Sequence, residues 1–234
     1  MKIGGFVPLT LVDYPQRIAA TVFTIGCGFR CPFCHNPELV LPERAADATV
    51  VDEGEVLDSL EARQGFLDGV VLTGGEPTLQ DDLAAFIRRI KALGFLVKLD
   101  TNGAQSAVLE ALLSEGLLDF IAMDIKAPRD RYAEFAGVPV SMDAIQRSID
   151  AIRASGADYE FRTTVAPGIT ARDIETMAHW LDGARCYILQ MFRTPDEKSL
   201  VDPTWSGREA LSSEELQGTW DRISGRFGEG GVRS

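Results

Sequence analysis

Ile18-Ala-Ala-Thr-Val-Phe-Thr-Ile25 runs directly into Gly26-Cys27-Gly28-Phe29-Arg30-Cys31-Pro32-Phe33-Cys34. The apolar run shows little alternation, as expected of a strand buried on both faces. Three of the chain's four cysteines follow it within eight residues, and the fourth, Cys186, is far away. Thiolates crowded this closely repel unless a metal neutralises them, and such soft donors suit an iron–sulfur cluster or zinc. Gly26 and Gly28 let the backbone turn sharply, while Pro32 restricts the loop between the second and third cysteines. Three ligands to a four-iron cluster leave one iron open to a substrate or cofactor.

Other readings of the same stretch compete. Cys31-Pro-Phe-Cys34-His35 matches the Cys-x-x-Cys-His of haem attachment, which needs export and an axial ligand and strands Cys27. The three cysteines and His35 also make a Cys3His zinc set, although such sites usually draw on two separated pairs. A disulfide inside so short a loop would constrain almost nothing.

Cys-x3-Cys-x2-Cys after a strand resembles the signature of the radical S-adenosylmethionine (radical SAM) superfamily. The resemblance implies a [4Fe-4S] cluster on Cys27, Cys31 and Cys34, with the open iron chelating the amino and carboxylate groups of SAM. It implies reductive cleavage of SAM to a 5′-deoxyadenosyl radical.

With 234 residues, 45% of them hydrophobic, the chain can bury a sizeable core. One domain over residues 1–234 is expected, with a core at about 18–193 and an extension over 194–234. A net charge of −12 matches poorly with a polyphosphate backbone, which is bound through Lys and Arg, so nucleic acid is not an expected partner. Clustered cysteines point to a reducing compartment. Pro8, Asp13, Pro15 and Arg17 interrupt the first 25 residues, which therefore lack the form of a secretory signal. No apolar run approaches the ~18 residues needed to cross a bilayer. The expectation is a cytoplasmic protein without a membrane partner.

The rest of the chain alternates in type. Apolar runs predict strands at 18–25, 69–73, 95–100, 119–125, 159–165 and 185–192. Helical spacing predicts helices over 52–63, 80–93, 106–115, 141–154 and 171–182. Residues 1–17 read as a short strand and turn, 42–51 as a loop, and 225–234 as a frayed Gly-rich tail. Such alternation gives an α/β fold with a parallel sheet and right-handed crossovers. Six strands are too few for an eight-stranded barrel; the resemblance implies the partial (β/α)6 barrel of radical SAM type.

The unusual residues sit at the C-terminal ends of successive strands, where α/β active sites lie. Thr73-Gly74-Gly75-Glu76-Pro77 ends the second strand. Its ordinary reading is a tight turn; it also resembles the superfamily's Gly-Gly-Glu-Pro motif, which implies Gly74, Gly75 and Glu76 at the SAM amino group. Lys98-Leu-Asp100-Thr101-Asn102-Gly103 and Met123-Asp124-Ile-Lys126 end the third and fourth strands, where Asp or Asn alone would simply cap a turn. Together with Gly-Gly-Glu they resemble the glycyl-radical-enzyme activating enzymes. That resemblance implies Asp100 and Asn102 near SAM, and Lys126 on its carboxylate. It also implies a monovalent-cation site for which Asp100, Thr101 and Asp124 are the candidates.

Arg162, in Arg-x-x-x-x-Pro-Gly, resembles the group's arginine near the SAM ribose and carboxylate; otherwise it is a surface strand residue paired with Glu160 or Asp158. Where several activating enzymes carry a histidine this chain has Gln190. His179 reads as a packing residue and Cys186 as a small buried hydrophobe. The Asp13-Tyr14-Pro15 and Cys34-His35-Asn36-Pro37-Glu38 flanks resemble anaerobic ribonucleoside-triphosphate reductase activating proteins over roughly residues 3–193. This implies a glycyl-radical enzyme, an anaerobic ribonucleotide reductase, as protein substrate and a flavodoxin-like or other low-potential electron donor. The rivals are a radical SAM enzyme acting on a small molecule or another peptide, and a non-catalytic iron–sulfur or zinc module.

Overall fold

A computed structural model of the chain describes residues 1–46, 49–193 and 200–233. The elements, in order, are β1 (Ile3–Thr10), β2 (Ala19–Thr24), α1 (Pro37–Val40), α2 (Pro42–Ala45), α3 (Glu53–Glu61) and β3 (Gly69–Gly74). Next come α4 (Leu83–Ala92), β4 (Leu96–Thr101), α5 (Ser106–Ser114), β5 (Phe120–Asp124), α6 (Tyr132–Ala136) and α7 (Met142–Ala154). The chain finishes with β6 (Asp158–Val165), α8 (Ala171–Trp180), β7 (Cys186–Met191), α9 (Ser213–Ile223) and β8 (Glu229–Arg233). All six expected strands are present as β2 to β7, because each apolar run is long enough for a buried strand and is bounded by turn residues. No helix among the described residues is long and apolar enough to cross a membrane.

Contacts group the chain into two compact units. The first comprises residues 1–28, 38–122 and 143–158; the second comprises 29–37, 123–142 and 159–234. In the first unit β1 lies antiparallel to β2, and β2, β3 and β4 are parallel neighbours. Its apolar helix stripes cover them: Val56, Leu57 and Leu60 of α3, and Leu83, Phe86, Ile87 and Ile90 of α4, are buried. Tyr14 of the Asp-Tyr-Pro flank is buried edge-on to Phe120 (centroids 5.8 Å), and Asp13 accepts the Thr21 hydroxyl at 2.7 Å. That flank is thus a packing element here.

In the second unit β6, β7 and β8 are parallel neighbours. Two expectations are corrected. The 225–234 tail is not frayed: β8 pairs with β7 from Cys186↔Glu229 to Gln190↔Arg233. Glycine makes this possible, since a Cβ on Gly230 would lie 2.1 Å from the Tyr187 carbonyl oxygen and 2.5 Å from the Trp220 ring. The loop expected over 42–51 begins as the short helix α2, with Pro42 at its first turn, where the missing N–H costs nothing. Of the extension 194–234, residues 194–199 and Ser234 lie outside the described residues; α9 joins α8 through Arg222–Glu175 at 2.9 Å.

The β8 pairing carries charge inward: Arg233 donates to both oxygens of Glu160, at 3.2 and 2.9 Å, and Glu160 is 3% exposed. Among the described residues, Arg233→Ala would leave that buried carboxylate with Arg162 at 3.9 Å as its remaining cation. With Arg233 itself part-exposed, the expected cost is about 1–3 kcal/mol, or roughly 3–10 °C in Tm. Calorimetry checks this; an unchanged Tm would mean that β8 does not belong to the folded sheet.

Candidate functional site

In the first unit the chain leaves β2 through Thr24, Ile25 and Gly26 to reach Cys27, and the end of β3 clamps that exit. Gly75 N–H donates to the Thr24 carbonyl at 2.8 Å, Glu76 N–H to the Gly26 carbonyl at 2.7 Å, and Gln80 Nε2 to the Ile25 carbonyl at 2.8 Å. A Cβ on Gly75 would meet the Gly26 oxygen at 2.1 Å, and one on Gly74 (φ +111°) the Thr24 nitrogen at 2.3 Å. The Gly-Gly pair therefore lets two strand ends approach backbone to backbone.

Glu76 is 2% exposed, and its carboxylate accepts the Thr78 N–H (3.2 Å) and hydroxyl (2.5 Å), the Thr101 hydroxyl (2.7 Å) and the Asn102 N–H (2.7 Å). Burial raises its pKa, against the pull of the Asn102, Thr78 and Thr101 hydrogen bonds. Asn102, so fixed, directs its side-chain amide to Cys27 Sγ at 3.8 Å. At the end of β4, Lys98 is 2% exposed and its ammonium is bound to Asp100, which also accepts the Thr73 hydroxyl at 3.4 Å.

In the second unit Cys34 N–H donates to the Cys31 carbonyl at 3.0 Å, closing a turn. Residues of the extension hold the turn, with Val201 N–H on the Cys34 carbonyl (3.1 Å) and Asp202 N–H on that of Pro32 (3.0 Å). Phe33 packs against Phe135 and Trp205, with centroids 6.3 and 6.1 Å apart. The end of β5 and the strand β6 build a charge network. Asp124 accepts Lys126 Nζ on one oxygen and Arg162 Nε on the other, both at 3.0 Å. Burial alone would raise the Asp124 carboxyl; the Arg162 and Lys126 charges outweigh it and lower the carboxyl to about 2. Burial likewise opposes the charge on Lys126, but the Asp124 carboxylate and then the Cys31 sulfur hold its ammonium well above its usual range.

Arg162 is therefore no surface residue. Its side chain is 12% exposed, and it binds Asp124 at 3.0 Å with Glu160 more distant at 3.9 Å. Gln190 lies half-buried on β7, in register with Thr164 and Arg233. His179 is exposed rather than packed, with Nε2 3.4 Å from Arg226; its neighbour Trp180 is the ring that packs, on Tyr132. Cys186 is buried, and burial pushes its thiol up to about 12. Sequence reasoning missed Thr78 and Arg233, gave Lys98 no role, and named Glu160 only as a surface partner of Arg162. A signal existed for Lys98 and Glu160: each lies two residues before a site residue on its strand, hence on the same face. None existed for Arg233.

The donor set suits the cluster that the motif implies. None of the four cysteines is in a disulfide. Cys27 receives an amide N–H and Cys31 faces an ammonium, both of which favour thiolate. Among the described residues no three His, Cys, Asp or Glu side chains converge to hold a single metal ion; a cuboidal cluster does not require this, because each thiolate binds its own iron.

Residues 21–181 match the family model described as the Radical SAM superfamily. Two proteins of Methanocaldococcus jannaschii, each named "Putative glycyl-radical enzyme activating enzyme", are similar to this chain. One is 36% identical over 200 residues, spanning 83% of this chain and 81% of the relative. The other is 30% identical over 188 residues, spanning 76% and 68%. A "Probable GTP 3',8-cyclase" of Saccharolobus solfataricus is 34% identical over 143 residues, 60% of this chain and 44% of that protein. Among solved structures, Streptococcus suis SuiB bound to S-adenosylmethionine matches with a TM-score of 0.64 at 14% identity. That match covers 90% of this chain and 48% of SuiB, so the chain spans about half the length of that protein. At this identity the likeness is one of fold, and it is the α/β fold expected from the strand and helix pattern.

Gly75→Ala should force the Gly26 carbonyl away, at about 1–3 kcal/mol for an overpacked site. Iron bound per chain after anaerobic reconstitution should fall while far-ultraviolet circular dichroism is retained; full iron content would show that the clamp does not position Cys27. The Asp124 carboxyl, lowered from 3.8 to about 2, contributes stability present above pH 3.8 and lost as the pH falls toward 2, roughly 2 kcal/mol in all. In urea unfolding, the wild-type advantage over Asp124→Asn should therefore narrow between pH 5 and pH 2; a constant gap would refute the pairing.

Proposed function

The chain belongs to the radical SAM superfamily, and we propose from that premise that it is a glycyl-radical-enzyme activating enzyme whose protein substrate is an anaerobic ribonucleotide reductase. The extent of likeness carries this reading. Similarity to the first M. jannaschii protein runs over 83% of the chain, whereas similarity to the cyclase covers 60% of it and under half of the cyclase. The Asp13-Tyr14-Pro15 and Cys34-His35-Asn36-Pro37-Glu38 flanks support the choice of reductase.

In this reading residues 1–234 form one radical SAM domain in which Cys27, Cys31 and Cys34 hold a [4Fe-4S] cluster. Gly74, Gly75, Glu76, Asp100, Asn102, Lys126, Arg162 and Gln190 surround SAM. When bound, the cluster and SAM would supply the radical chemistry for removing a hydrogen atom from a backbone glycine, with the electron drawn from a flavodoxin-like or other low-potential donor. The chain's own residues orient and shield. Lys126 and Arg162 offer cations to a carboxylate: the series Arg233–Glu160–Arg162–Asp124–Lys126 alternates in sign, and Lys126 also faces the Cys31 sulfur. Glu76 orders the ends of β3 and β4 against which the amino group would rest. Phe33, Phe135 and Trp205 keep water from the Cys31–Cys34 turn.

Mixed with the reductase of the same organism, the reduced protein and SAM should produce a glycyl-radical doublet in electron paramagnetic resonance. The doublet should vanish when the partner's glycine is replaced by alanine, and in Cys27→Ala, Cys31→Ala or Cys34→Ala. Cleavage of SAM with no doublet on any partner, coupled to turnover of a small molecule, would favour the reading that the cyclase likeness supports.

A further inference from the structure

The motif resemblance brings with it a monovalent cation on Asp100, Thr101 and Asp124. The oxygens of these residues are already engaged by the protein. Asp100 is bound by the Lys98 ammonium on one oxygen and by the Thr73 hydroxyl on the other, at 3.4 Å. Thr101 donates its hydroxyl to Glu76 at 2.7 Å, and its oxygen accepts the Gly103 N–H at 3.1 Å. Asp124 gives one oxygen to Lys126 and the other to Arg162. A metal ion held by oxygens is bound mainly by uncompensated negative charge, and the charge of both aspartates is already met by ammonium and guanidinium groups.

Lys98 decides the case. A lysine 2% exposed, between the buried Val97 and Leu99, is tolerated only when its charge is met, and here Asp100 meets it. The Phe120 ring, with its centroid 5.9 Å from Nζ, backs the ammonium from another side. The group is therefore fixed, and it carries the same single positive charge as a potassium ion. A metal ion added at Asp100 would sit beside Nζ and be repelled by it, with little solvent to screen the two.

We propose that Lys98 takes the place of the monovalent metal ion in this chain, so that SAM binds without sodium or potassium. Lys98 is then a positioning residue: its ammonium neutralises Asp100 and sets the end of β4. Asp124 is neutralised separately by Lys126 and Arg162. The inference rests on the SAM-binding reading above and deepens it.

The test is SAM binding to the cluster-loaded protein by calorimetric titration, at constant ionic strength, in potassium, sodium or tetramethylammonium chloride. Screening is then the same throughout, and the wild-type dissociation constant should change by less than about twofold. A rise of about tenfold or more on removing potassium and sodium would overturn the proposal while leaving the SAM reading intact. Lys98→Met should acquire a potassium requirement that the wild type lacks. Because that variant leaves the part-buried Asp100 without its ion-pair partner and could misfold, Lys98→Met/Asp100→Asn, which removes both charges, serves beside it, and its SAM affinity, whatever its size, should not depend on the salt. A salt requirement in the double variant would refute the placement. Should SAM fail to bind in all three salts, the cofactor reading fails, and thallium(I) nuclear magnetic resonance still decides the cation question. A saturable thallium site abolished by Asp100→Asn overturns the proposal, and its absence in the wild type together with its appearance in Lys98→Met sustains it.

Discussion

A carboxylate almost wholly withdrawn from water, that of Glu76, holds the first unit's site together. Burying such a charge costs several kcal/mol unless its lone pairs are filled. Two donors from Thr78, one from Thr101 and one from Asn102 fill them. The ends of β3 and β4 are joined as a consequence, and the Asn102 side chain is left aimed at Cys27. Glu76 also offers its own N–H to Gly26, so the same residue grips the cysteine loop by its backbone. The bond to the Cys27 sulfur is weak by itself; its geometry is set by the much stronger bonds behind it.

The second unit solves a harder electrostatic problem with the same logic. Glu160, Arg162, Asp124 and Lys126 are largely buried, and Arg233 closes the series from β8. Each charge is tolerated because the next is of opposite sign, and removing any member exposes the others to the full desolvation penalty. The extension contributes directly to this arrangement: Arg233 anchors Glu160, while Val201 and Asp202 hold the Cys31–Cys34 turn. A segment with no motif of its own thus supports both halves of the unit's chemistry.

Much of this was legible from residue order alone. The Cys27–Cys34 spacing, the Gly-Gly-Glu turn and the strand-terminal Asp-Thr-Asn and Asp-x-Lys are local patterns, and the six strands and five main helices follow from local periodicity. The sequence also put Lys98 and Asp100 on one face of a strand. Where reading failed, distance along the chain was the reason. The Gly-rich tail looked frayed because glycine has low strand propensity, and only contacts made by the folded chain, above all with the Tyr187 carbonyl far back in the sequence, explain Gly230. His179 looked like a core residue from its apolar neighbours, yet its own face of α8 is exposed.

Chain order by itself determined the family, the kind of fold and which residues stand at the strand ends, because spacing and alternation are properties of neighbours. Tertiary structure alone decided what each of those residues touches. Glu160 and Arg233 are 73 residues apart, and Cys27 and Asn102 are 75 apart. A charged side chain's partner is whichever group the completed fold brings within about 3 Å, and periodicity tells which face a residue occupies but not what lies opposite it.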